Sequence, residues 1–134
     1  MIDAINFFQT VLAFNNFSSI GANRSEIRLA NALKKDARKF ATEANEEAQN
    51  AQTAQKIAFD AKENKMSESF AEIALWHSLI AFGKYRQAAQ RYKEAATIET
   101  KKQREFAKNA KQMAERANEA EISVSRLTEF LNGN

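Results

Sequence analysis

Wound at 100° per residue, Ala4, Ile5, Phe7, Phe8, Val11, Leu12 and Phe14 fall on one face of a helix, and Asp3, Asn6, Gln9 and Thr10 on the other. The pattern predicts an apolar amphipathic helix over 1–20. Asn23 followed three residues on by Glu26 is a capping-box signal. It opens a second helix with no obvious stop until about Asn64. Along that helix Ala30, Ala37, Ala41, Ala44, Ala48 and Ala51 recur mostly at steps of three and four, and the stripe continues through Ala54, Ala58 and Ala61. An average step near 3.5 is the period of a helix seam, and alanine knobs let neighbouring helices approach closely.

Ser69 with Glu72 three residues on gives a second start signal, placing a hinge near 64–69 and a further long helix over 68–131. Its first part, SFAEIALWHSLIAF, places Phe70, Ile73, Leu75, Trp76, Leu79, Ile80 and Phe82 around most of the circumference. Apolarity on all sides predicts burial on more than one side. Further on, Phe106, Ala110, Met113, Ala117, Ala120, Val124, Leu127 and Leu131 step by four and three without a miss. Tyr85, Ala89, Tyr92 and Ala96 follow the same register until Glu99 and Gln103 break it. A bend is therefore expected near 83, at Gly83, or across 97–103.

These elements predict one helical domain over 1–134, of the all-α class. Its form is an elongated antiparallel helical hairpin or a three-helix coiled coil, with the N-terminal amphipathic helix added. The seam residues are Ala37, Ala41, Ala44, Ala48 and Ala51 on one long helix, and Phe106, Ala110, Met113, Ala117, Val124, Leu127 and Leu131 on the other. Such a rod leaves flank uncovered, and a second copy of the chain is the expected supplier of the missing surface.

Composition agrees with helix: 134 residues hold no proline and three glycines. With no cysteine there is neither disulfide nor thiolate metal site. No run of eighteen apolar residues predicts a membrane-spanning helix, and the first basic residue, Arg24, follows the apolar stretch where a secretory signal needs it in front. The sequence does not fix a location; the expectation is a virion, for the reason given below, or otherwise the cytoplasm.

The ingredients of catalysis are missing. His77, the one histidine, lies among Leu75, Trp76, Leu79 and Ile80 and reads as a packing residue. The Glu-x-x-His spacing of carboxylate-bridged metal bundles is absent, because Ala74 stands three before His77 and Glu72 five before. Glu43, Glu46 and Glu47 beside the alanine stripe read as a solvated face. No glycine-rich phosphate loop or nucleophile elbow occurs. The expectation is a non-enzymatic chain with no cofactor, no metal and no small-molecule substrate.

The net charge of +3 is a weak argument for nucleic acid, but its distribution is less even. Lys84, Arg86, Arg91, Lys101, Lys102 and Arg104 are candidate phosphate contacts, with Tyr85 and Tyr92 between them. The alternative is that these cations solubilise a helix exterior.

The stretch GKYRQAAQRYKEAATI at 83–98 resembles the second helix of a tetratricopeptide repeat in Gly83, Tyr85, Ala88, Tyr92 and Ala95. The helix before it departs from that pattern at Trp76, and nothing repeats at a 34-residue offset. An apolar N-terminal segment followed by Ala/Gln/Asn-rich helix such as ANEEAQNAQTAQKIAFDAKEN is similar in style to the internal or ejection proteins of short-tailed bacteriophages. That resemblance implies storage in a virion and a tubular assembly.

The leading expectation is a structural subunit of a homo-oligomeric helical assembly with other structural proteins as partners. In it Ile5, Phe7, Phe8, Val11, Leu12 and Phe14 dock on a neighbouring subunit or touch a membrane. A soluble adaptor that takes a partner's helix or peptide in an apolar groove around Trp76, Tyr85 and Tyr92 is the alternative, and a non-specific nucleic-acid-binding protein is the third.

Overall fold

The computed structural model describes residues 23–133, and the proposed face of Ile5 to Phe14 lies outside them. The described chain is all-α. Helix α1 spans Arg24–Asp60, α2 spans Asn64–Ile98 and α3 spans Gln103–Asn132, with a 3-10 turn at Thr100–Lys102 between the last two. At 1.5 Å per residue the three run about 55, 52 and 45 Å.

The capping box at the start of α1 forms in full: the Asn23 side chain accepts from the Glu26 amide, and the Glu26 carboxylate accepts from the Asn23 amide. The predicted Ser69–Glu72 start does not. Helix α2 begins five residues earlier, at Asn64, with Glu63 as N-cap and no side-chain cap bond. What fixes the turn instead is Ser67, buried, whose hydroxyl donates to the Ala58 carbonyl at 2.7 Å. That bond satisfies one of the orphan carbonyls in the last turn of α1.

A single helix over 68–131 is also corrected, because the chain reverses at 99–102 rather than bending. No glycine or proline marks the place. Thr97, Ile98 and Thr100 are β-branched and weaken the helix locally, and the freed carbonyls of Ala95 and Ala96 are taken by the Glu99 amide and the Gln103 side chain. Thr97 Oγ1 donates to Glu94 O at 2.6 Å, and Gln103 Nε2 to Ala96 O at 3.4 Å. Gly83 lies inside an unbroken α2.

Helix α2 packs along both neighbours, and α1 and α3 meet each other mainly through side chains. Lys34 pairs with Glu105 at 3.5 Å, Arg116 donates to Asn45 at 3.1 Å, and the Phe59 and Phe130 rings meet edge to face at 5.2 Å. All three pairs are 71 positions apart. Helices α1 and α3 therefore run parallel in constant register, with α2 antiparallel to both.

The inward seam is small. Ala30, Ala37, Ala44, Ala51, Ala54 and Ala58 of α1 are buried, with Ala41 and Ala48 half-buried beside them. From α3 come Phe106, Ala110, Met113, Ala117 and Leu127, with Val124 and Leu131 half-buried. One core cluster gathers Phe106 and Met113 with Tyr85 and Tyr92, and a second gathers Leu127 with Ala54, Ala58, Ala71 and Ala74.

Candidate interaction surfaces

Helix α2 inverts the usual amphipathic arrangement over its first half. Its inward face is Ala71, Ala74, Ser78 and Ala81, all buried. On the opposite side Ile73, Trp76 and Leu79 are 44, 65 and 46% exposed, with Met66 exposed on the same flank. The expected burial of this segment on more than one side is thus not achieved within the described chain. Size explains the choice: a helix contacting two neighbours at once needs small inward residues for both neighbouring axes to approach it, so the large side chains are turned out. Gly83 lies on that outer side, and nothing stands within 4 Å of where its Cβ would be.

The same geometry removes the groove expected around Trp76, Tyr85 and Tyr92. Tyr85 and Tyr92 face inward at 5 and 6% exposure, on the opposite side of the helix from Trp76. Neither ring is available to a partner peptide or to a stacked base.

Polar side chains hold α2 to α1. His77 Nδ1 meets the Glu47 carboxylate, Lys84 meets Glu43, and Tyr85 donates to Asn45 Oδ1, which also accepts from Arg116. So Glu43 and Glu47, expected on a solvated face, serve as cross-helix partners, and His77 packs half-buried as expected but against a carboxylate. No signal in the sequence pairs them. The ammonium of Lys84 holds the Glu43 carboxyl below its ordinary range, and burial pushes the Tyr85 phenol above its own.

Folding also divides the charge. A cross-section at Asn45, where Tyr85 and Arg116 converge, separates 24–45 and 84–116 from 46–83 and 117–133. The first set carries sixteen Lys and Arg against seven Asp and Glu, net +9, and the second four against nine, net −5. Among the described residues Ile57, Phe59, Met66, Ile73, Trp76, Leu79 and Ile122 are exposed in the acidic half, and Ile27 and Leu29 in the basic half. Within the described residues one end is polar and basic, and the other is acidic and apolar.

The six predicted phosphate contacts all lie in the basic half but do not act together. Lys84 is taken by Glu43, Arg91 pairs with Glu94 at 3.8 Å and lies over the Phe40 ring, and Arg86 lies over Phe82. Lys101, Lys102 and Arg104 are exposed at the turn between α2 and α3.

Between α1 and α3, after the Asn45–Arg116 contact, a groove of about 540 Å³ opens over a floor of Ser78 and Ala81. Its walls are mostly amide and hydroxyl groups, including Gln49, Gln52, Gln55 and Ser123. It marks the gap between the two core clusters, where small residues on all three helices leave space unfilled.

Among the described residues no helix is long and apolar enough to cross a membrane, and no group of three His, Asp or Glu side chains stands ready to hold a metal ion. No protein-family model, curated protein or solved structure matches the chain.

Proposed function

We propose that this protein is a non-enzymatic structural subunit that associates with copies of itself through the outer face of α2. The observation that carries the reading is the inversion of that helix: Ile73, Trp76 and Leu79 stand in solvent while Ala71, Ala74, Ser78 and Ala81 fill the inside. A contiguous row of large apolar side chains opposite a satisfied inner face is the mark of an interaction surface. Gly83 on the same side supports close approach by another helix. A mid-helix glycine costs about 1 kcal/mol relative to alanine, and no neighbour within the described chain accounts for it.

The division of charge favours a second copy as occupant, and an antiparallel one. Two rods lying side by side in opposite directions set the basic half of each against the acidic half of the other, and the shared apolar row lies across the contact. A parallel pair sets like charges together. Rods paired in this way suit the tubular assembly implied by the ejection-protein resemblance.

Light scattering on the eluting protein tests the proposal. The expected mass at high concentration is a discrete even multiple of 15.1 kDa that falls on dilution. A 15.1 kDa species at every concentration is incompatible with it.

A further inference from the structure

We propose that the outer surface shared by α1 and α3 in the basic half binds the phosphate backbone of double-stranded nucleic acid, without reading bases. The site is made by folding, since neither helix carries it alone. Lys35 and Arg38 of α1 and Lys108 and Lys111 of α3 are all exposed, on the sides turned away from the buried alanines of each helix. The constant offset of 71 between α1 and α3 sets Arg38 level with Asn109, between Lys108 and Lys111. The Lys34–Glu105 and Arg116–Asn45 contacts tie the two parallel helices together along this stretch, so the four cations stand at one level of the bundle.

The patch extends toward the end of the rod. Arg24 and Arg28 continue the α1 row, and Lys101, Lys102 and Arg104 flank it at the turn. From Arg24 to Arg38 is about 21 Å along the helix. Duplex DNA carries one charge per about 1.7 Å of axis, so a face of this length meets several phosphates at once.

Most neighbouring carboxylates are engaged elsewhere, and exposed Glu115, one turn beyond Lys111 on α3, is the acid that borders the patch. Glu105, Glu43 and Glu94 pair with Lys34, Lys84 and Arg91, and Glu26 is held in the capping box. Asp36 lies on the other flank of α1, toward α2. The outer face of α2, where copies are proposed to meet, is on the opposite side of the bundle, so the two surfaces do not compete.

The chemistry around the patch selects among polyanions. Stacking on single strands needs exposed aromatic rings, and Tyr85 and Tyr92 are buried. Insertion into a lipid surface needs large apolar side chains beside the cations, and among the described residues most of the exposed ones lie in the acidic half. Backbone contact with a duplex needs only the cations.

The test is fluorescence anisotropy of the full chain with a labelled mixed-sequence duplex of about 30 base pairs, between about 50 and 200 mM salt. The expected result is binding that weakens steeply with salt. Lys35→Glu/Arg38→Glu/Lys108→Glu/Lys111→Glu should weaken it at least about tenfold and reduce the log–log salt slope by about 3 to 4. Lys56→Glu/Lys62→Glu/Lys65→Glu, in the acidic half, should leave it within about twofold. Circular dichroism checks that each variant keeps its helix, and the four glutamine replacements serve if the glutamates do not. Unchanged affinity in the patch variant overturns the proposal, as does a single strand bound more tightly than the duplex. So does binding of phosphatidylserine vesicles with none of the duplex, or salt-sensitive self-association with no duplex binding.

Discussion

Replacing Phe106 with alanine is expected to cost about 3–5 kcal/mol of folding stability, read as a fall in the urea midpoint with the slope retained. The size of the effect follows from what the core lacks. Most buried positions are alanine, and Phe106 and Leu127 are the largest fully buried side chains among the described residues. Phe106 also sits where all three helices meet, clustered with Ala30 and Ala37 of α1 and with Tyr92 of α2, and Lys34 lies 5.9 Å above its ring. A cavity there cannot be refilled by alanines, which have no rotamers to move. Against a total of about 5–15 kcal/mol for a domain of this size, the loss is a large fraction. The comparison must be made at one protein concentration, because association stabilises the folded state by mass action. A change below about 1 kcal/mol would show that Phe106 does not join α1 to α3.

How legible was this core in the sequence? The two flanking helices announced themselves. Ala37, Ala44 and Ala51 on one and Phe106, Ala110, Met113 and Ala117 on the other form the most regular apolar row of their helix, and each row is buried. Helix α2 was misleading because it carries two apolar rows. The expectation of burial on more than one side does not rank the two rows, and the structure buries Ala71, Ala74 and Ala81 because only small residues fit between two close neighbours.

The reversal at 99–102 was seen only as a break in register at Glu99 and Gln103. The turn combines β-branched Thr97, Ile98 and Thr100 with a Gln103 side-chain bond to the Ala96 carbonyl, and no glycine or proline marks it. The candidate sites fared unevenly for a related reason. Residues 84–111 are visibly basic, but 24–45 intersperses acids with its cations, so the patch appears only when the 71-residue offset sets Arg38 beside Lys108. The cross-helix pairs of Glu47 with His77 and Glu43 with Lys84 join positions 30 and 41 residues apart, and no local pattern points to them.

The second large effect is expected at the outer face. Ile73→Ser/Trp76→Ser/Leu79→Ser should reduce the assembled mass to 15.1 kDa at concentrations where the unaltered chain is oligomeric. The helical circular-dichroism signal should persist. The three side chains are already largely in solvent within one chain, so their removal withdraws little intrachain burial. Between chains, by contrast, each apolar side chain that becomes fully buried contributes about 1.5–3 kcal/mol, and losing three shifts an association constant by orders of magnitude. Loss of helix in this variant would place these side chains in the monomer's own core. Retention of the oligomer would move the interface elsewhere on the molecule.

Trp76 is the only tryptophan in the chain and the most exposed of its large apolar residues among those described, so it reports on the proposed contact directly. The most direct measurement is its emission spectrum and its quenching by acrylamide across a dilution series. The account predicts a blue-shifted, protected indole at high concentration that becomes red-shifted and quenchable on dilution, in step with the fall in mass. An indole that is solvent-exposed and quenchable at every concentration, including those where the protein is oligomeric, would contradict it.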